Sequence, residues 1–172
     1  MREYTFTLVY QLDDADNRHD EIIERFGEAG LTDFMIGVGR PGYLGLELER
    51  AGRSAEAVLR AAMADVNAII PQATLVEAGP DFAGLTDIAE RVGVTRQNMR
   101  KLMLGGAGFP VPVHGGSTSI WHAAEVLGWL RESAGYAIDE ADISTARAAW
   151  RVNAALEQER MKRAGYAVHT IV

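Results

Sequence analysis

A dense group of hydrogen-bond donors lies between residues 95 and 101 of this 172-residue chain. Thr95 can cap a helix, because its hydroxyl can accept a hydrogen bond from a free amide of the first turn. Five donor-rich side chains follow it: Arg96, Gln97, Asn98, Arg100 and Lys101. Guanidinium, amide and ammonium groups bind base edges in the major groove of DNA and oxygens of its phosphate backbone. The pattern predicts a helix that reads DNA.

The residues before this helix predict a second helix and a tight turn that would position it. Ala89 supplies the small residue needed where two helices touch, and Gly93 accepts the left-handed backbone of the turn. Apolar side chains fall where both helices must contact a core: Ile88, Val92, Val94, Met99 and Leu102. We therefore expect a helix-turn-helix; the alternative is an ordinary two-helix turn with a solvated polar face.

The residues after the motif predict a short hairpin and a third helix. Three glycines, Gly105, Gly106 and Gly108, would end the second helix, and residues 109–113 would be extended. Residues 114–117 would form a turn and residues 118–121 a returning strand. A helix from His122 to about Arg131 would then bury Val126 and, three and four residues after it, Trp129 and Leu130. Helix, turn, helix, hairpin, helix is the order of a winged helix-turn-helix.

Residues 84–132 resemble the AlpA/excisionase branch of small winged-helix proteins, which is related to MerR-type DNA-binding domains. The resemblance is carried by residues 85–89, Gly93 to Arg96, residues 109–113, Trp121, Glu125, Val126, Trp129 and Leu130. It implies that the second helix enters the major groove and that the hairpin contacts the adjacent backbone. Wings of this family usually carry Arg or Lys at the tip, whereas this one has His114, Ser117 and Thr118.

These observations define the expected DNA-contacting residues: Thr95, Arg96, Gln97, Asn98, Arg100, Lys101, His114 and Ser117. Arg96, Gln97 and Asn98 are expected at base edges, because the N-terminal end of a recognition helix approaches the groove floor. Arg100 and Lys101 are expected at phosphates. A neutral wing implies a shallower salt dependence; His114 could add charge below about pH 6.5 or be an ordinary turn histidine.

The net charge of −7 is unusual for a DNA-binding protein until it is divided along the chain. Residues 1–82 hold 15 acidic and 7 basic side chains, a balance of −8. Residues 83–134 have a balance of +1, and residues 135–172 a balance of zero. Acid is therefore concentrated outside the helix-turn-helix, and we expect the N-terminal part to be held away from phosphates.

The N-terminal part predicts a separate α+β domain with the ferredoxin-like order βαββαβ. In the first strand, Tyr4, Phe6, Leu8 and Tyr10 alternate with Thr5, Thr7, Val9 and Gln11. A helix from His19 to Ala29 then places Ile22, Ile23 and Phe26 on one face before Gly30. Residues 33–39 and 43–48 would form two strands around a turn at Arg40, Pro41 and Gly42. Ser54 would cap a helix to about Ile70, with a stripe of Val58, Leu59, Ala62, Met63, Val66 and Ile69, and residues 73–77 would form the last strand.

The expected organisation is a ferredoxin-like domain over residues 1–79, a linker over 80–84, the winged domain over 85–134 and a helical tail over 135–172. The tail helix, about Asp139 to Arg163, has a candidate apolar face of Ile143, Ala146, Ala149, Trp150, Ala154 and Met161. It would either pack on its own domain or form a homodimer. Residues 164–172 would be frayed or form a short terminal strand.

Other function classes find little support in the residues. Gly37, Gly39 and Gly42 match the dinucleotide-binding pattern Gly-x-Gly-x-x-Gly, but a strand-like segment follows where a helix N-terminus is needed. The four histidines, His19, His114, His122 and His169, fall in different predicted elements, and no serine lies in a Gly-x-Ser-x-Gly elbow. We expect neither an enzyme nor a cofactor.

With no cysteine, no signal-like N-terminus and no apolar run near 18 residues, the sequence predicts a cytoplasmic protein away from membranes. The predicted function is a sequence-specific DNA-binding transcriptional regulator, acting by occupying an operator on double-stranded DNA. Three alternatives remain: an antitoxin-like module that binds a basic protein through its acidic domain, an excisionase-like recombination accessory factor, and a small-molecule sensor role for the ferredoxin-like domain.

Overall fold

The computed structural model describes residues 1–14, 18–37 and 40–167, and over these residues the chain is a mixed α+β protein with antiparallel sheets. The elements run in the order β1 (Arg2–Gln11), α1 (His19–Glu28), β2 (Phe34–Gly37), β3 (Tyr43–Gly52), α2 (Ala55–Ile69), β4 (Thr74–Gly79), β5 (Phe82–Ala83), α3 (Leu85–Arg91), α4 (Arg96–Gly105), β6 (His114–Gly115), β7 (Ser119–His122), α5 (Ala123–Ser133) and α6 (Glu140–Arg163). None of the helices in this described part is long and apolar enough to cross a membrane.

The first unit, β1 to β4 with α1 and α2, is a four-stranded sheet in the order β2-β3-β1-β4. Alternate residues of β1 face the core, as the two-residue period predicts. Phe6 lies opposite Leu48 and Leu8 opposite Leu46, so the apolar faces of β1 and β3 coincide. The apolar face of α1 is narrower than predicted, because Ile22 and Phe26 are buried but Ile23 is 48% exposed.

Local signals also explain how the elements of the first unit begin and end. Gly30 has a φ of +72° just after α1, and the Ser54 hydroxyl accepts a hydrogen bond from Ala57 N (3.2 Å) at the start of α2. Both features agree with the sequence prediction. Within α2, Met63 and Ile69 are only partly buried. The segment after Gly42 is strand β3, as predicted; Val38 and Gly39, the end of the predicted strand before it, lie outside the described residues.

The second unit, β5 to β7 with α3 to α5, has its own buried cluster. Its largest buried members come from every helix of the unit and from β7: Ile88, Met99, Trp121, Val126, Leu127 and Leu130. The hairpin differs from its prediction, because His114 and Gly115 pair with Ile120 and Ser119 as strand β6 rather than forming a turn. The turn is residues 116–118, and α5 begins one residue later than expected, with His122 as its N-cap.

Residues 80–84, expected as a linker, are structured. Phe82 and Ala83 pair with His122 and Trp121, and Asp81 O accepts a hydrogen bond from Ala123 N (2.7 Å). The Asp81 side chain is buried: its Oδ1 lies 2.6 Å from His122 Nδ1, and its Oδ2 accepts a hydrogen bond from Asn153 Nδ2 (2.8 Å). The connector is therefore tied to both α5 and α6.

Helix α6 contributes to both cores. Ile143 and Ala146 pack in the second unit, whereas Ala148 and Ala149 pack in the first. The predicted bounds of the helix are confirmed, but its apolar face is shorter than expected, because Ala154 is exposed and Met161 is 37% exposed. The helix thus bridges the units rather than packing on one of them. The terminal strand considered for residues 164–172 is not seen up to 167; residues 168–172, with His169, lie outside the described part.

The same helix covers the outer edge of strand β4. Asn153 Oδ1 accepts from Ala78 N, and Asn153 Nδ2 donates to Ala78 O, both at 2.8 Å, so one amide side chain pairs with the strand as a neighbouring strand would. Two turns further along, an Arg160 guanidinium nitrogen donates to Val76 O (3.0 Å). Unpaired backbone groups at a sheet edge invite association with other strands, and here α6 satisfies them.

We expect Asn153→Ala to lower the free energy of unfolding by roughly 2–4 kcal/mol, because a buried hydrogen-bonding group left unpaired costs about 1–3 kcal/mol and a charged one more. The substitution removes the partner of Ala78 and one partner of the Asp81 carboxylate. Urea unfolding measures the effect. Asn67→Ala is the matched control, since Asn67 is an exposed residue of α2; it should change stability by less than about 0.5 kcal/mol. Equal effects of the two variants would contradict this account of Asn153.

Candidate nucleic-acid interface

The turn between α3 and α4 has the geometry that its sequence predicts. Gly93 adopts a φ of +71°, and Val94 N donates to Ala89 O (2.9 Å) to close the turn. Thr95 then caps α4, with its hydroxyl accepting from Asn98 N (3.2 Å). At the start of α3, the Asp87 carboxylate accepts from Gly84 N (2.7 Å). The two helices are therefore set by contacts that are local in sequence.

Apolar side chains hold one face of each helix against the second core. Ile88, Ala89 and Met99 are buried, with 2%, 1% and 0% of their surfaces exposed. Partly buried side chains surround them, namely Val92, Val94 and Leu102. All the apolar positions predicted from the sequence therefore contact this core. Because Met99 anchors the middle of α4, the residues on its other faces are directed to solvent.

The predicted donors occupy that outer surface of α4. The exposed residues are Arg96, Gln97, Asn98, Arg100 and Lys101, together with Thr95 at the cap. Neither Arg96, Arg100 nor Lys101 forms an ion pair with a residue in the described part of the chain. Their side chains are thus available to bind an anionic partner.

The hairpin lies beside α4 and forms a groove with it. The groove, of about 390 Å³, is lined by Arg96 and Arg100 of α4, by Asp87 of α3, and by Ser117 and Thr118 of the hairpin turn. The structure thus brings two of the predicted cations next to one of the predicted wing residues. The remaining predicted residues, Thr95, Gln97, Asn98, Lys101 and His114, do not line this groove. The exposed His114 ring lies over Gly116, where an added Cβ would fall 2.5 Å from Nε2.

Aromatic side chains fix the segment that leads from α4 into the hairpin. Trp121 Nε1 donates to Pro110 O (3.0 Å), and Trp129 Nε1 donates to Ala107 O (3.2 Å). Phe109 packs edge-on against both indoles, with ring centroids 6.0 and 5.0 Å away. At Gly106 an added Cβ would lie 2.6 Å from Leu102 O and from the Trp129 ring, so a residue with a side chain would clash at this position. The hairpin is therefore held in place relative to α4.

The polar group that joins this interface to the rest of the molecule was not predicted from the sequence. Asp81 holds His122 at the start of α5, and the His122 ring stacks on Trp150 of α6 with centroids 3.8 Å apart and planes at 17°. One signal was available: Asn153 follows Ala146 and Ala149 on the apolar stripe of α6. A polar residue at such a position indicates a buried hydrogen-bond partner.

Within the described part of the chain, no group of three or more His, Asp or Glu residues could hold a metal ion. Comparisons of the chain with protein-family models, with curated proteins and with solved structures find no match. The functional interpretation therefore depends on the geometry of α4, the hairpin and their surroundings.

We expect Gly93→Ala to lower the free energy of unfolding by about 1–2 kcal/mol, the cost of a left-handed backbone at a residue with a Cβ. Space is not the cause, because nothing lies within 4 Å of an added Cβ. Gly105→Ala is the control: its site is equally open and its φ is not positive. It should be neutral or slightly stabilising, since alanine favours helix. Urea unfolding compares the two, and equal stabilities would refute the role given to the Gly93 backbone.

Proposed function

We propose that this chain is a sequence-specific regulator that binds double-stranded DNA through a winged helix-turn-helix. The observation that carries the proposal is α4, a helix anchored by buried Met99 that exposes five donor side chains, with three cations unpaired among the described residues. The hairpin beside it supplies a second wall, at which hydroxyl groups face Arg96 and Arg100. Occupancy of an operator would block or recruit other proteins without catalysis by this chain.

The element order supports the finer architecture in this proposal. The second unit runs α3, turn, α4, hairpin, α5, with β5 added to the hairpin strand β7, in keeping with a winged helix-turn-helix. The first unit runs βαββαβ with strand order β2-β3-β1-β4, in keeping with a ferredoxin-like domain.

Each contact has a distinct role in the proposed complex. Arg96, Gln97 and Asn98 lie in the first turn of α4 and would read base edges. Arg100 and Lys101, one turn later, would bind phosphates. A phosphate seated in the groove would be bound by arginine on one side and by neutral hydroxyl donors of the hairpin on the other. The wing would then add hydrogen bonds without releasing further counterions from the DNA.

The proposed homodimer must use a surface other than the apolar face of α6. Ile143, Ala146, Ala148 and Ala149 are all buried within the chain. A symmetric dimer would bind two half-sites about one helical turn, or a multiple of it, apart.

We expect the double variant Arg96→Ala/Asn98→Ala to lose its preference for particular DNA sites, because each substitution removes a donor expected at base edges. Wild-type protein is incubated with sheared genomic DNA at near-physiological salt, and the bound fragments are sequenced. The matched control, Arg60→Ala/Asn67→Ala, makes the same chemical changes at exposed residues of α2 and should enrich the wild-type site. If the α4 variant enriches that same site, the assignment of Arg96 and Asn98 is wrong.

We expect the double variant Arg100→Gln/Lys101→Gln to weaken binding to all sequences about equally, because phosphate contacts carry no sequence information. The slope of log affinity against log salt should become shallower by roughly 1 for each phosphate interaction that the substitutions remove. Titrations of labelled cognate and scrambled duplexes over a range of salt measure it. An unchanged slope, or weaker binding of the cognate duplex alone, would argue against phosphate binding by this pair.

A second candidate function is suggested by the open face of the first sheet. Met35 of β2 is 70% exposed and pairs with Glu47 of β3, which pairs on its other side with Thr7 of β1. Glu49 lies two residues after Glu47 on β3. An acidic face with an exposed apolar side chain suits a basic protein partner, in keeping with the antitoxin-like alternative. Absence of any enriched DNA site, together with a basic protein that co-purifies with the chain, would favour this function.

A further inference from the structure

A groove of about 430 Å³ lies where the two units meet. Its lining comes from both of them: Glu77 of β4, Phe82 of β5, His122 of β7, and Trp150, Glu157 and Arg160 of α6. Val113, just before the first strand of the hairpin, completes the wall on that side. The groove is separate from the one between α4 and the hairpin turn, which shares none of these residues.

One wall of this groove is aromatic and rigid. The His122 ring stacks on Trp150, and Phe82 lies 5.4 Å from His122 between ring centroids. Buried Asp81 holds His122 through its Nδ1, so the imidazole cannot rotate without breaking that contact. Stacked rings fixed in this way offer an apolar surface and, at the exposed Phe82, the negative face of an aromatic ring.

The lining of the groove also includes a carboxylate, that of Glu77. Glu77 is partly buried, and its carboxylate forms no hydrogen bond or ion pair with any residue in the described part. Its pKa is raised by burial and by the charge of Asp81, and Arg160 offsets this only in part. Arg160 is itself engaged, since it pairs with Glu157 (3.2 Å) and donates to Val76 O (3.0 Å). The charge that the groove leaves unsatisfied is negative.

We propose that this groove binds a small organic cation with an aromatic or aliphatic body. The ammonium group would lie against the Glu77 carboxylate, and the apolar body against Phe82 and the Trp150–His122 stack. An organic anion is disfavoured because the arginine is already paired. A bare metal ion is disfavoured because one free carboxylate supplies too few oxygen ligands. The volume suits a ligand of one ring and its substituents, at the small end of ligand pockets.

Binding of an organic cation in this groove would be a further function of the chain and does not depend on DNA binding. The ligand would contact β4 in the first unit, and β5 and β7 in the second, so its binding site is complete only when the units are joined. A ligand shifts a conformational equilibrium only by its difference in affinity between the two states. A ligand bound to both units would have different affinities for two states that differ in the relative position of the units.

The test uses the full chain without DNA and three probes that share a benzyl group: benzyltrimethylammonium, benzyl alcohol and phenylacetate. Isothermal titration calorimetry should show the cation binding most tightly and the anion most weakly. Binding of phenylacetate as tight as that of the cation, or no saturable binding of the cation, would overturn the proposal. This comparison needs no variant, and because DNA is absent its outcome is independent of the proposed regulator function.

Glu77→Gln identifies the carboxylate responsible. It should weaken binding of benzyltrimethylammonium by roughly tenfold, or about 1.4 kcal/mol, and leave benzyl alcohol unchanged. Glu49→Gln is the matched control, since Glu49 is an exposed residue of β3 outside the groove. A circular dichroism melt checks that both variants fold. Equal affinities of wild-type and Glu77→Gln protein for the cation would rule out this site.

Discussion

The arrangement of the molecule depends on one buried carboxylate. Asp81 is 1% exposed and lies in the two-residue connection between β4 and β5, where the two units join. Burying a charge is costly unless it is paired and hydrogen-bonded. Asp81 meets that requirement with His122 from the start of α5 and with Asn153 from α6. Since these partners belong to different elements, the carboxylate is satisfied only when α5, α6 and the connector are in their observed places.

The contact between Asp81 and His122 also positions the hairpin of the candidate interface. His122 is both the last residue of β7 and the N-cap of α5, so the residue that pairs with Asp81 also lies in the hairpin. The preceding residue of β7, Trp121, packs in the second core and supports the segment leading from α4. A short chain of packed and hydrogen-bonded groups thus runs from β4, through Asn153 and Asp81, to the hairpin beside α4.

The sequence predicted what is decided over a few residues and missed what is decided between distant ones. The period of Tyr4, Phe6 and Leu8, the Thr95 cap and the positive φ at Gly93 are local properties, and each prediction was confirmed. Residues 80–84 were predicted as a linker because polar and turn-forming residues are typical of exposed segments, whereas the structure has strand β5 and a buried Asp81 there. The actual partners of Asp81 lie 41 and 72 residues further along the chain. The turn of the hairpin was predicted too early in the chain, because glycine is typical of turns. In the structure Gly115 pairs with Ser119 and belongs to strand β6. The binding partners of the exposed side chains are not determined by local sequence either. The site could therefore be predicted only as a group of exposed hydrogen-bond donors on one helix and the hairpin beside it.

Helix α6 has a consequence for how the chain folds. The first unit receives Ala148 and Ala149 for its core, and its strand β4 is covered by a residue 75 positions downstream. Contacts so distant in sequence are slow to form, because the intervening chain loses entropy when its ends meet. The helix that completes the first sheet also carries Ile143 and Ala146 of the second core. Unfolding either unit would therefore remove part of the packing of the other, so we expect the chain to unfold cooperatively and a disturbance of the α6 contacts to affect both cores.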